Sequence, residues 1–106
     1  MPPSSSAASR LLDQDGRAIA NGTQLLKAMA NEKRLQILCL LADKELSVTQ
    51  INQQLTLSQS ALSQHLAILR HDGLVNTRRD SQTIYYSLNS KSASAILEIL
   101  ARYYAG

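Results

Sequence analysis

Gly73 divides this chain into two hydrophobic periods. Before it, Leu62, Leu66 and Leu69 recur at intervals of four and three, the spacing that gives a helix one apolar stripe. After it, Leu74–Arg79 (LVNTRR) and Thr83–Leu88 (TIYYSL) alternate and are rich in β-branched and aromatic residues, as hairpin strands are. A chain that must end a helix on a left-handed glycine and turn at once into a hairpin has few folds open to it. Ser58 is the expected N-cap, so the spacing predicts one helix within Leu57–Gly73 (LSQSALSQHLAILRHDG). The other face of that helix carries Gln59, Ser60, Ser63 and Gln64 on its leading turns. A face that is merely solvated is usually built of Lys and Glu. An uncharged face of hydrogen-bonding groups suits a helix that reads base edges in a major groove.

The chain before this helix reads as further helices. Met1–Arg10 (MPPSSSAASR) is small, polar and holds both prolines, and it is expected to be disordered. The tail is placed at 1–12 and the folded domain at 13–106. A first helix is expected over Asp13–Ala30, capped by Asp13 or Asp15, with Ile19, Leu25, Leu26 and Met29 as its stripe. Gly22 inside it implies a close backbone approach or a frayed start. Asn31 caps a second helix whose Leu35, Ile37, Leu38, Leu40 and Leu41 leave little of its girth polar, the pattern of a central helix. Ser47 and Gln50 match a capping box for a short helix that ends near Leu55. The turn that follows lacks the glycine often found between the two helices of a helix-turn-helix. Asp80-Ser81-Gln82 is the expected hairpin tip, beside Arg78 and Arg79, and a last helix is expected over Ala93–Tyr104. Its apolar face comprises Ile96, Leu97, Leu100 and Tyr104, with Ile99 and Tyr103 beside it.

The fold class is therefore mainly α: a winged helix-turn-helix of five helices and a two-stranded hairpin wing. At 106 residues it is one domain. Its net charge of +3 is compatible with a polyanionic partner but too small to argue for one alone. The arrangement of groups says more. The recognition helix supplies base contacts and the wing arginines supply phosphate or minor-groove contacts, the two classes of contact that a DNA-binding module needs. One cysteine excludes an intrachain disulfide framework and suits a reducing compartment. No apolar run is long enough to span a bilayer, and no signal peptide is evident, so a cytoplasmic location and no membrane partner are expected. No phosphate loop, paired carboxylates or cofactor fingerprint is present, so neither an enzyme nor a cofactor is expected.

NEKRLQILCLL, ELSVTQI, LSQSALSQHL and LVNTRRDSQTIYYSL resemble the ArsR/SmtB family of bacterial repressors, in its branch of HlyU-like and NolR-like regulators. The resemblance runs from about Leu25 to Leu100. It implies a homodimer whose terminal helices pair, through Leu25, Leu26, Met29, Ile96, Leu97, Leu100 and Tyr104, and which binds an inverted-repeat operator in double-stranded DNA. It also implies that Ser58, Gln59, Ser60, Ser63 and Gln64 face the DNA, that His65 lies against its backbone, and that Arg78 and Arg79 reach phosphate or minor groove.

The departures from the family bear on its trigger. The arsenic-sensing pattern places two cysteines around a valine where this chain reads Ser47-Val48-Thr49, and a hydroxyl cannot replace a thiolate toward a soft ion. The last helix offers only Glu98 as a ligand, so no metal site is expected. In HlyU-like sensors the central-helix cysteine pairs with a second one near the C-terminus, and here that position is Ala105. Cys39 is then expected to be a small packing residue inside the central helix. The other readings are a one-thiol redox or sulfide-responsive repressor using Cys39, and a winged-helix protein-interaction module without DNA binding. The sequence identifies no small-molecule inducer.

Overall fold

A computed structural model describes residues 6–12 and 15–106. The elements run α1 (Ala7–Leu12), α2 (Arg17–Met29), α3 (Glu32–Leu41), β1 (Leu46–Ser47), α4 (Val48–Gln54), α5 (Gln59–His71), β2 (Val75–Asp80), β3 (Thr83–Leu88) and α6 (Lys91–Tyr104). The expected winged helix-turn-helix is present, with one more helix and one more strand than the sequence suggested. Ala7–Leu12 forms a short helix with no buried residue, which corrects the disordered assignment over that span. The rest of the expected tail, residues 1–5, lies outside the described residues.

Local capping sets most of the element boundaries. The Asn31 side chain accepts from the backbone N–H of Lys33 and Arg34, Ser58 from Ala61, and Ser90 from Ala93. Ser47 and Gln50 complete both halves of the capping box. The start of α2 differs from expectation. Its N-cap is Gly16, at φ 89°, with no side-chain cap, while Asp15 pairs with Arg17 at 3.6 Å on the surface. The other proposed cap, Asp13, lies outside the described residues. Gly22 neither breaks the helix nor meets another backbone; a Cβ there would point into open space. The last helix starts two residues earlier than expected, because Ser90 caps it.

Gly73 ends α5 as its sequence position predicts. At φ 77° it lets the Leu74 N–H reach the Leu69 carbonyl at 2.9 Å, while its own N–H reaches Arg70 at 3.0 Å. That six-to-one and five-to-two pair is a Schellman closure, with buried Leu69 and Leu74 brought together by it. The strand order is β1-β3-β2, all antiparallel. Asp80 belongs to β2 opposite Thr83, so the turn is only Ser81-Gln82, with Ser81 left-handed at φ 58°. Arg78 and Arg79 therefore stand on opposite faces of the ribbon rather than together at its tip.

The core gathers Ile37, Leu38 and Leu41 of α3, Ile51 of α4, Leu62, Leu66 and Leu69 of α5, Val75 of β2 and Ala93 of α6. α3 is central, but not covered on every side. Cys39 is exposed, which corrects its assignment as a buried packing residue. It lines a groove between the end of α3 and α6 with Ala42, Asp43, Ser94, Leu97, Glu98 and Ala101. α6 buries Ala93 and half-buries Ile96 and Leu97 against the core, so it leans on α3 without closing over Cys39.

Candidate nucleic-acid interface

α4 and α5 meet through a turn that needs no glycine. With its amide nitrogen facing them, the exposed Asn52 donates to the carbonyls of Leu55 at 3.2 Å and Leu57 at 3.0 Å, which ties the turn. Ile51 and Leu62, both fully buried, fasten the two helices below it. This packing turns Gln59, Ser60, Ser63 and Gln64 outward, and all four are exposed. Ser58 is also exposed, but its oxygen is engaged by the Ala61 N–H at 3.1 Å. Its role is to start the helix on which the other four are carried.

The exposed face of α5 extends beyond its leading turns. Ala67 and Arg70 continue the exposed row beyond Ser63, and with Val48, Leu66, His71 and Tyr86 they line a groove between α5 and the sheet. Helical spacing from Ser63 would have found Arg70, a cation where the helix approaches the wing. Thr49, Asn52 and Gln53 of α4 line a second polar groove with Gln59. Ser47 is buried and its hydroxyl is spent on the capping box, so the position of the arsenic-sensing cysteines is a structural joint in this chain. Among the described residues, no group of three or more His, Cys, Asp and Glu could hold a metal ion.

His65 is half-buried, and its Nδ1 is covered with no hydrogen-bond partner. Burial, and secondarily the Arg34 guanidinium, lowers its pKa below the ordinary imidazole value and favours a neutral ring.

The two wing arginines differ in kind. Arg78 lies over the Tyr85 ring at 4.8 Å and crosses the sheet to Glu45, the residue before β1. Its Nε donates to both carboxylate oxygens at 3.1 and 3.0 Å, and its Nη2 to Oε1 at 2.6 Å. Those hydrogen bonds hold the Glu45 carboxyl below its usual range and raise Arg78. Arg78 was expected to reach DNA together with Arg79, but its charge is already met within the chain. Arg79 is exposed, and its side chain pairs with no described residue. It is the free cation of the wing.

The expected dimer residues fall into three groups. Met29 is 5 % exposed and belongs to the core of its own chain. Leu25, Ile96, Leu97 and Leu100 are half-buried, whereas Leu26 and Tyr104 are exposed at 56 % and 84 %. Ile19, Ile99 and Tyr103 add to the exposed apolar surface of α2 and α6.

A recognition helix held by a helix-turn-helix and flanked by a wing with a free arginine defines a winged-helix DNA-binding protein. The pattern described as "Bacterial regulatory protein, arsR family" matches residues 31–77. The transcriptional activator HlyU of Vibrio cholerae is 61% identical over 85 residues, covering 80% of this chain and 79% of the relative. The nodulation protein NolR of Rhizobium meliloti is 53% identical, covering 74% and 65%. The structure of reduced HlyU from Vibrio cholerae superposes with a TM-score of 0.80 at 58% identity, covering 85% of this chain and 95% of that one. The chain belongs to the arsR family of bacterial transcriptional regulators, and it is a DNA-binding regulator of the winged helix-turn-helix type. No helix among the described residues is long and apolar enough to cross a membrane.

Proposed function

We propose that the chain is a homodimeric repressor that reads an inverted-repeat operator without a metal or other cofactor. The observation that carries this is the leading face of α5, where four uncharged hydrogen-bonding side chains stand exposed. Gln59 and Gln64 present amides with both donor and acceptor, the chemistry that pairs with adenine edges. Ser60 and Ser63 accept or donate at either base type. Arg79 grips phosphate beside the groove, and Arg70 does so where the helix leaves it. The two-fold partner is a second copy, because α2 and α6 present Ile19, Leu26, Ile99, Tyr103 and Tyr104 to solvent, more apolar surface than two terminal helices leave uncovered without reason. The test selects duplexes from a randomised pool and compares Gln59→Ala and Gln64→Ala on the selected site and on random DNA. Each variant should lose about 1–3 kcal/mol more on the selected site. Equal losses on both DNAs would remove these residues from sequence reading.

The exposure of Cys39 favours a second reading of the trigger, a one-thiol sensor facing the α3–α6 groove. Wild type and Cys39→Ser are compared by gel shift with and without peroxide and polysulfide. Release of the wild type alone supports the sensor; indifference of both supports a repressor with no thiol trigger.

A further inference from the structure

Asp72 stands where electrostatics disfavours it. It caps the C-terminus of α5, the negative end of the helix dipole, and only 12 % of its side chain is exposed. What compensates it comes largely from other helices. Gln24 Nε2 of α2 donates to Asp72 Oδ1 at 2.9 Å, across 48 residues of sequence. His71 Nδ1 lies 3.3 Å from the same oxygen. Arg34 of α3 adds its positive field, and the same guanidinium donates to the carbonyls of Ala28 at 2.6 Å and Lys27 at 3.1 Å at the end of α2. The end of the recognition helix is thereby held to α2, both directly and through α3. α2 also shares the apolar core with α5 through Ala28 and Met29, and the Gln24–Asp72 hydrogen bond adds a directed polar tie between the two helices.

Gln24 and Leu26 are about 200° apart around α2. The helix thus gives one side to the end of α5 and offers the other, with Leu26 exposed, to a partner. We infer that Gln24 and Asp72 are positioning residues: their hydrogen bond fixes the end of the recognition helix against the dimerisation helix, and so sets the separation of the two recognition helices across the two-fold axis. The inference rests on the homodimeric reading proposed above. A link of this kind changes little in the affinity for one half-site. It acts on the tolerance for the distance between two of them, which rigid dimers read as a geometric constraint.

The probe is the duplex that the wild type selects from a randomised pool, together with versions whose half-site spacing is one base pair longer or shorter. Wild type, Gln24→Ala, Asp72→Ala and Asp72→Asn are measured on all three, with sedimentation and circular dichroism confirming dimer and fold. Gln24 is exposed, so its truncation leaves the core intact. The penalty for altered spacing should shrink by at least about fivefold in Gln24→Ala and Asp72→Ala, the lower range of a coupling between sites. Asp72→Asn keeps an acceptor oxygen for Gln24 and should restore the wild-type penalty. Folded, dimeric alanine variants with the wild-type spacing penalty would overturn the inference. So would an Asn variant as relaxed as the alanine ones. A wild type that selects no paired half-sites would instead overturn the homodimeric operator reading, and this inference with it.

Discussion

Arg78 and Arg79 are neighbours in sequence and opposites in circumstance, and their salt dependence should separate them. Each phosphate neutralised by a cation contributes about 0.9 to the slope of log affinity against log salt. The proposed dimer would carry two copies of Arg79, so Arg79→Ala should flatten that slope by about 1.8. Over an approximately fourfold rise in salt, the variant should therefore lose affinity roughly tenfold less than the wild type. Arg78→Ala should leave the slope nearly unchanged, because Glu45 already holds that guanidinium through three hydrogen bonds. Glu45→Gln should do the reverse and steepen the slope, by up to about 1.8 if both released arginines find phosphate. Fluorescence anisotropy on a labelled duplex at several salt concentrations measures all three. Equal flattening by Arg78→Ala and Arg79→Ala would refute the reasoning, since it would mean that the Glu45 pair opens on DNA at no detectable cost.

Leu62→Ala removes a fully buried side chain beneath the helix-turn-helix and should cost about 2–5 kcal/mol. In a domain of this size that lowers the Tm by about 8 °C or more in a thermal melt. Leu97→Glu with Leu100→Glu should yield monomers in sedimentation; an unchanged dimer would move the interface to another face. His65 has its pKa lowered in the folded chain, so the unfolded state takes up its proton first. Stability should then decline as pH falls below 6.5, the ordinary value, and His65→Gln should lessen that decline in denaturant titrations. Asp72 is held low, chiefly by Gln24, so its contribution is present above 3.8 and is lost as pH falls through its folded value.

The features read correctly from sequence are those encoded within a few residues. Ser58 with Ala61, the Ser47–Gln50 box and the Gly73 closure each rest on partners three to five positions apart, and they fix the start of α4 and both ends of the reading helix. The Leu62, Leu66 and Leu69 stripe follows from the helical period in the same way. What the sequence concealed is non-local. β1 is two residues long and is a strand only because Leu46 and Ser47 find Tyr86 and Tyr85. Arg78 gave no sign that it would spend its charge 33 residues away, nor Gln24 that it would meet Asp72. Cys39 is exposed although its helix carries apolar residues around most of its girth. The helical period fixes which residues share a face, but not whether another helix arrives to cover them.

Ser47 is at once the last residue of β1 and the N-cap of α4, so the sheet hands over directly to the helix-turn-helix with no intervening residue. The sheet and the helix-turn-helix therefore share a residue, and a change of length there reaches both. Lengthening the chain at Ser81-Gln82 would change only how far the ribbon projects. One residue inserted between Glu45 and Val48 would instead slip the pairing with Tyr85 and Tyr86, misplace the cap and undo the Glu45 anchor together. Natural variants of this scaffold should therefore differ in length at the ribbon's end and hold constant length at this joint.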